Sequence, residues 1–179
     1  MVFPDLQEKV GEISTVEIVR ADGNFVLQRR PEGWANMGVG GYPARQTRIE
    51  KMIGGLVSLS YFEPKTERSS LYSKIGVEDV SGDAKSTRLR VNDEAGTVVA
   101  DVIVGKAKSG VAGLDRDGVY VRLPGEQRAW LAESSLDVRY DAVDWSERRV
   151  VHVRASKVGV MSVTHPDGEL VEIYRKGED

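Results

Sequence analysis

The sequence predicts an α+β fold: antiparallel β-meanders with one main amphipathic helix packed on a sheet face. In the first segments, apolar and polar residues alternate and Asp-Gly turns separate the runs, as between Ile13–Arg20 and Phe25–Arg30. From Gln46 to Ser60 the apolar spacing changes from two residues to about 3.6, which is typical of one helix face. The second half of the chain returns to strand patterns.

The N-terminal region is predicted to form a three-stranded meander. A short helix over Asp5–Val10, with Asp5 as its cap, precedes the strand Ile13–Arg20. The turn at Asp22-Gly23 leads into the return strand, because glycine accepts the positive φ that tight hairpins require. A third short strand begins at Trp34.

The helix predicted over Gln46–Ser60 has one apolar face. Thr47, or the residues just before it, would cap its start. Two adjacent glycines, Gly54 and Gly55, lower helix propensity and are therefore expected to permit close packing on the sheet. A further helical turn or two fits between Ser69 and Ile75. The apolar face consists of Ile49, Met52, Ile53, Leu56 and Leu59.

The second half of the chain reads almost entirely as strands. The β-branched run Val98–Val104 suits a central strand covered on both faces. A short helical or irregular crossover is expected over Asp137–Arg149. The other predicted strands are Ser86–Asn92, Val119–Leu123, Arg128–Ala132, Val150–Val153, Val158–Thr164 and Glu169–Arg175.

An internal similarity suggests two modules, residues 1–150 and the start of a second, similar module in 151–179. A shift of 145 places superposes Ile13, Val16 and Ile18 on Val158, Met161 and Val163, and the Asp22-Gly23 turn on Asp167-Gly168. The same shift places Phe25, Val26 and Arg30 on Leu170, Val171 and Arg175. Any two Asp-Gly hairpins align in a similar way, so a chance likeness is the alternative to duplication. Since a lone hairpin is marginally stable, we expect the second module to be truncated and the natural protein to be longer.

Composition and motifs exclude several classes of function. The chain has 179 residues, a formal charge of −3 and no cysteine, which argues against nucleic acid as a partner and against thiolate metal sites or cysteine nucleophiles. No apolar stretch approaches the ~20 residues that cross a bilayer, so the chain is not expected to insert into a membrane. The two histidines, His152 and His165, lack the spacing of a helical metal pair. We therefore predict no catalytic residue, no metal site and no cofactor.

Two groups of side chains remain as candidates for contact with a partner. The aromatic residues Trp34, Tyr42, Tyr61 and Phe62 flank a glycine loop and the helix end, where they form either core packing or a binding patch. Four arginines lie on the polar faces of strands and could form a basic face for an anionic partner, although cross-strand pairing with Asp or Glu is the commoner outcome. These arginines are Arg88, Arg90, Arg122 and Arg128.

Short structural motifs occur along nearly the whole chain in a characteristic order. They identify a family better than they explain its chemistry, because none is catalytic. The motifs are Asp22-Gly23 with Trp34, Gly41-Tyr42-Pro43-Ala44 before the helix, Glu63-Pro64-Lys65-Thr66, Tyr72-x-x-Ile75-Gly76-Val77-Glu78-Asp79, Val104-Gly105-Lys106, Tyr120-Val121-Arg122 with Pro124-Gly125, Trp130-Leu131, and Asp144-Trp145 before Arg148-Arg149.

In this order of motifs the chain resembles a bacterial family known as domain of unknown function 4340. The resemblance implies a longer protein with one N-terminal membrane helix, its bulk outside the cytoplasm, and a second half beyond Asp179. It also implies association with ABC-type transport systems, including those resembling gliding-motility auxiliary components. The family brings no established catalytic residues to carry over.

The leading functional hypothesis is a non-catalytic, extracytoplasmic interaction or ligand-binding module of a membrane-anchored protein, accessory to an ABC-type transport system. Its partner would be a transporter component or another envelope protein. One alternative is an enzyme that acts on envelope polysaccharide or peptidoglycan through paired carboxylates, one of them with a raised pKa. Another is a structural spacer, which would show neither a cleft nor a sizeable exposed apolar patch.

Overall fold

The chain divides into two compact units in a computed structural model, which describes residues 1–110, 117–134, 136, 138, 141–149 and 153–175. Unit 1 is Met1–Glu147 and unit 2 is Arg148–Asp179. The helices of unit 1 are α1 (Leu6–Lys9), α2 (Gln46–Val57) and α3 (Tyr72–Ile75). Its strands are β1 (Ile13–Arg20), β2 (Gly23–Arg30), β3 (Gly33–Asn36), β4 (Tyr42–Pro43), β5 (Ser60–Pro64), β6 (Thr87–Asp93), β7 (Val98–Lys108), β8 (Gly118–Arg122) and β9 (Ala129–Glu133).

The strands of unit 1 form one nine-stranded sheet in the order β4-β3-β2-β1-β6-β7-β8-β9-β5, and every pair of neighbours is antiparallel. This arrangement confirms the α+β class and the predicted meanders. The end strands β4 and β5 were not predicted as strands, because β4 has two residues and β5 does not alternate apolar and polar side chains. Register shifts interrupt four of the strand pairings, and such bulges increase the local twist of a sheet.

Helix α2 follows one edge strand and precedes the other, so it lies between β4 and β5 in the chain. Its apolar residues Ile49, Met52 and Leu56 are almost fully buried and share the main core cluster with Val16, Ile18 and other residues of the strands. We call the sheet face that carries these strand residues the inner face. The helix ends at Val57 rather than Ser60, because Ser60 pairs with Glu133 of β9.

The start of α2 agrees with the sequence prediction, whereas its two glycines differ from it. Its N-cap is Arg45, one of the residues just before Thr47, and the backbone N–H of Arg45 donates to the carbonyl oxygen of Trp145. Of the two glycines, only Gly55 makes a close approach: a Cβ there would lie 3.0 Å from the Cα of Leu136. Gly54 is exposed, with nothing within 4 Å of its Cβ position. The glycine pair was expected to permit close packing on the sheet. The close contact observed is instead between Gly55 and Leu136, which lies outside the strands.

The outer face of the sheet, opposite α2, is partly covered by the segment 65–86, which joins β5 to β6 and which we call the strap. Tyr72 and Val77 of the strap form a second, small core cluster with Ile103 of β7 and Ala129 of β9. Gly105 allows the close approach, since a Cβ there would overlap the carbonyl oxygen of Ile75. The run Val98–Val104 therefore contributes to a core on both faces, as its β-branched composition predicts.

In the described residues of unit 2, β10 (Val160–Thr164) and β11 (Leu170–Tyr174) form an antiparallel hairpin after a short 3₁₀ turn at Ala155–Lys157. Its strands fall within the predicted segments Val158–Thr164 and Glu169–Arg175. The predicted strand Val150–Val153 lies largely outside the described residues, and Val153 itself is not in a strand. The division at Glu147 is close to the predicted module boundary, while a truncated second module remains a prediction.

Candidate functional site

The edge strand β5 presents exposed aromatic side chains. β5 stands at the end of the strand order, with β9 as its one strand neighbour. The pairing shifts register between Tyr61 and Glu63, and the strand ends at Pro64, a residue that sheets tolerate at their edges. Tyr61 and Phe62 are 38% and 43% exposed, high values for large apolar side chains. Aromatic residues in this setting are typical of protein interfaces.

Residues of β9 and its preceding turn support this aromatic pair. The ring centroid of Tyr61 lies 4.6 Å from that of Trp130, with the planes inclined at 36°. Trp130 packs against the main core, and the guanidinium of Arg128 lies 5.9 Å from its ring. Arg128 is in turn held by an ion pair with Glu67 of the strap. We refer to Tyr61, Phe62, Trp130 and Arg128 together as the β5 aromatic surface.

The electrostatics of this surface favour neutral hydrogen bonding over charge. Partial burial, and secondarily the negative charge of Glu126, raise the pKa of the Tyr61 hydroxyl, which therefore stays protonated at neutral pH. Glu63, further along β5, is paired with Lys65 at 2.6 Å. The hydrogen bond from Lys65 lowers the pKa of Glu63. The surface thus offers aromatic area, one hydroxyl and a guanidinium already paired with Glu67, and the Glu63–Lys65 pair flanks it.

The structure separates the four predicted aromatic residues into two pairs. Tyr61 and Phe62 lie on β5, whereas Trp34 and Tyr42 lie on β3 and β4 at the other end of the sheet order. Trp34 is partly buried against the main core, and Tyr42 is 39% exposed. Trp130 joins Tyr61, although sequence analysis named it only in a family motif and not among the candidate contact residues. The alternation in Arg128–Ala132 placed it on a strand but could not show that this strand pairs with β5.

Each of the four predicted arginines is paired with an acidic residue, but only Arg88 and Arg90 pair across strands as expected, whereas the partners of Arg122 and Arg128 lie in the strap. Arg88 donates twice to the carboxylate of Asp101, at 2.7 and 2.6 Å, and Arg90 donates to it at 3.2 Å. Arg128 pairs with Glu67, and Arg122 pairs with Asp79 at 2.6 Å. These guanidinium groups are therefore occupied within the fold and do not form a free basic face.

Asp101 yields a pH-dependent prediction. Burial by itself raises the pKa of this carboxyl group, but the hydrogen bonds and charges of Arg88 and Arg90 outweigh it, so the pKa of Asp101 lies below its ordinary value. A lowered folded-state pKa stabilises the fold above the unfolded-state value of about 4, and this stabilisation is lost as pH falls through the folded-state pKa. The destabilisation caused by Asp101→Asn should be largest near pH 7 and shrink below about pH 4. Urea titrations at several pH values measure it.

Asp83, an exposed carboxylate of the strap, supplies the matched control. Asp83→Asn should change the free energy of unfolding little at any of these pH values. A destabilisation by Asp101→Asn that stayed constant from pH 7 to pH 3 would contradict the assigned role of the two arginines.

The described residues do not gather the side chains that a metal centre would need. Within them, no group of three or more His, Asp or Glu side chains is placed to hold a metal ion. The carboxyl groups with a resolved shift, those of Glu63, Asp101 and Glu172, all have lowered pKa values. His165 lies exposed in the turn of unit 2, and His152 lies outside the described residues. A cavity of about 460 Å³ beside the β1–β2 turn is lined by Arg20 and Asp22, which pair with each other at 3.0 Å.

The fold and this surface define an α+β protein with an antiparallel sheet and an aromatic edge strand. The chain belongs to the family described as Domain of unknown function (DUF4340), whose pattern matches residues 8–179. This membership confirms the resemblance drawn from the short motifs. Neither the curated proteins nor the solved structures contain a match to this chain. In the described part of the chain, no helix combines the length and apolar character needed to cross a bilayer.

Proposed function

We propose that this chain is a non-catalytic interaction module of a membrane-anchored, extracytoplasmic protein, and that it serves an ABC-type transport system. The observation that carries the interaction role is the β5 aromatic surface. The membrane anchor, the extracytoplasmic setting and the transport partner come from the family resemblance described above. The partner is a protein component of the transporter.

The geometry of β5 indicates how such a partner is bound. On the side of β5 away from β9 the described residues contribute no neighbouring strand, so the backbone of β5 can pair with an extended segment of another protein. Pro64 limits that pairing to the residues before it, because proline has no N–H to donate. Tyr61, held against Trp130, and Phe62 then supply the aromatic contacts that usually carry much of the binding energy.

The two alternative functions have less support. No described carboxyl group has a resolved upward pKa shift of the kind expected for the acid of a polymer-cleaving pair. A passive spacer does not account for the exposed aromatic residues of β5 or for the exposed apolar residues of the unit 2 hairpin.

Capture of partners from detergent-solubilised native membranes tests the proposal, with the 179-residue chain as bait. We expect transporter subunits in the captured material, identified by mass spectrometry. The double variant Tyr61→Ser/Phe62→Ser should lower their recovery at least about fivefold, since an interface residue that matters costs about 1 kcal/mol or more on truncation. Tryptophan fluorescence checks that this variant is folded.

Val98→Ser/Val143→Ser is the matched control, because these residues are 48% and 56% exposed at other places in unit 1. Tyr42→Ser tests the aromatic pair at the other edge separately. The proposal fails if transporter subunits are never recovered with the unaltered chain. It also fails if the β5 variant and the valine control recover them equally.

A further inference from the structure

The hairpin of unit 2 has one face made only of apolar side chains. Cross-strand partners Met161 and Ile173 lie on this face with the pair Val163 and Val171, and their exposed fractions run from 39% to 53%. We call these four residues the β10–β11 face. On the opposite face, Ser162 donates to Glu172, as does the hydroxyl of Tyr174, so polar interactions occupy the centre of that face.

The β1–β2 hairpin of unit 1 has a face of the same kind. Val16 pairs with Leu27 and Ile18 pairs with Phe25, just as Met161 pairs with Ile173 and Val163 with Val171. The first strands superpose with the shift of 145 used in the sequence comparison. The return strands need a shift of 146, because the unit 2 turn is one residue longer. Ile173, rather than Glu172, thus takes the place of Leu27.

The two faces differ in what covers them. Val16, Ile18 and Leu27 are fully buried in the main core cluster, which includes Ile49, Met52 and Leu56 of α2 and Leu89 and Val91 of β6. The amphipathic helix α2 is thus part of the cover of the β1–β2 face. The corresponding β10–β11 face is left about half exposed.

The area of the β10–β11 face limits what kind of molecule can pack on it. Two five-residue strands measure about 17 Å by 10 Å, so the face offers about 170 Å² in projection. A stable interface between free proteins buries about 800 Å² on each partner. This face alone is therefore too small for a stable interface with a separate molecule. A covalently linked segment can still pack on it, because the linkage raises the effective concentration of that segment.

We propose that the β10–β11 face is the docking site for an amphipathic helix of the same polypeptide, with apolar residues spaced as Ile49, Met52, Ile53 and Leu56 are in α2. The hairpin is then the first element of a second module that repeats the arrangement of β1, β2 and α2. This inference is independent of the proposed interaction role of β5.

Hydrogen exchange in two forms of the protein tests this docking site: the 179-residue chain and the chain extended to the natural end of its reading frame. We expect the backbone amides of residues 160–174 to exchange at least about tenfold more slowly in the longer form, since a covered hairpin opens less often. Met161→Lys/Ile173→Lys should abolish this protection in the longer form and change exchange little in the 179-residue chain.

Val160→Lys/Leu170→Lys is the matched control, because these residues are 51% and 57% exposed on the opposite face of the same strands. The control should leave the protection intact. Equal exchange in the two forms, equal effects of the two double variants, or a reading frame that stops at Asp179 would overturn the proposal. Protection that rises with the concentration of the 179-residue chain would overturn it too, by placing a second copy on the face.

Discussion

Leu56→Ala is expected to lower the free energy of unfolding of unit 1 by about 2–5 kcal/mol. Leu56 is fully buried in the main core cluster, on the face of α2 that also carries Ile49 and Met52. Alanine removes the apolar contacts of the side chain and leaves a cavity that the surrounding strands fill only in part. Helix propensity contributes little to the loss, because alanine is a better helix former than leucine.

Urea unfolding followed by tryptophan fluorescence measures this loss. All three tryptophans, Trp34, Trp130 and Trp145, lie in unit 1, so the signal reports on that unit alone. Lys51→Ala, at an exposed position of the same helix, is the control and should change the free energy of unfolding by less than about 0.5 kcal/mol. A cost for Leu56→Ala as small as that of the control would show that α2 does not anchor the core.

Arg122→Met is expected to lower the free energy of unfolding by about 2–4 kcal/mol, because it leaves the buried carbonyl group of Val77 and the partly buried carbonyl group of Glu126 without this donor. Arg122 is 3% exposed, and its guanidinium donates to the carbonyl oxygens of Val77 and Glu126 at 2.8 and 2.9 Å. It also lies 4.6 Å from the ring centroid of Tyr72, which adds a cation–π contact. Methionine can replace the packing of the side chain but none of these hydrogen bonds.

Since Arg122 ties the strap to β8, the loss should appear first in the strap. The substitution should accelerate hydrogen exchange more in residues 72–79 than in β6 and β7. Arg90→Met is the control: Arg90 lies on the same sheet face, shares its carboxylate partner with Arg88 and has a side chain 36% exposed. Its replacement should cost less than about 1 kcal/mol. Equal costs for the two variants, or unchanged exchange in the strap, would contradict the anchoring role of Arg122.

The strands that alternate strongly were predictable from the sequence, because alternation directly reflects one buried and one solvated face. β1, β2 and β6 follow this rule, and the Asp-Gly turn at residues 22–23 joins the first two. The strands that were missed, β4 and β5, lack such a pattern. β4 has two residues, and the aromatic residues of β5 follow the helix with no turn signal between them.

The candidate site was only half predictable for a related reason. Tyr61 and Phe62 stood out as aromatic residues near a helix end, but the side chain that positions Tyr61 is Trp130, which lies in a remote part of the chain. Likewise, the alternation of side chains in β8 placed Arg122 on the polar face of the strand but did not indicate that the strap would bury it. Spacing within a segment carries no information about which distant segment will cover it.

The sequence by itself determined the local order of this protein: where the chain extends, where it turns and which stripe of α2 is apolar. It also identified the family, through short motifs distributed along the chain. Only the tertiary structure decided that β5 closes the sheet beside β9, that the strap buries Arg122, and that the β10–β11 face stays exposed while its counterpart in unit 1 is covered. The reason is that each segment's burial pattern arises from local periodicity, whereas its partner is selected by the joint packing of segments far apart in the chain.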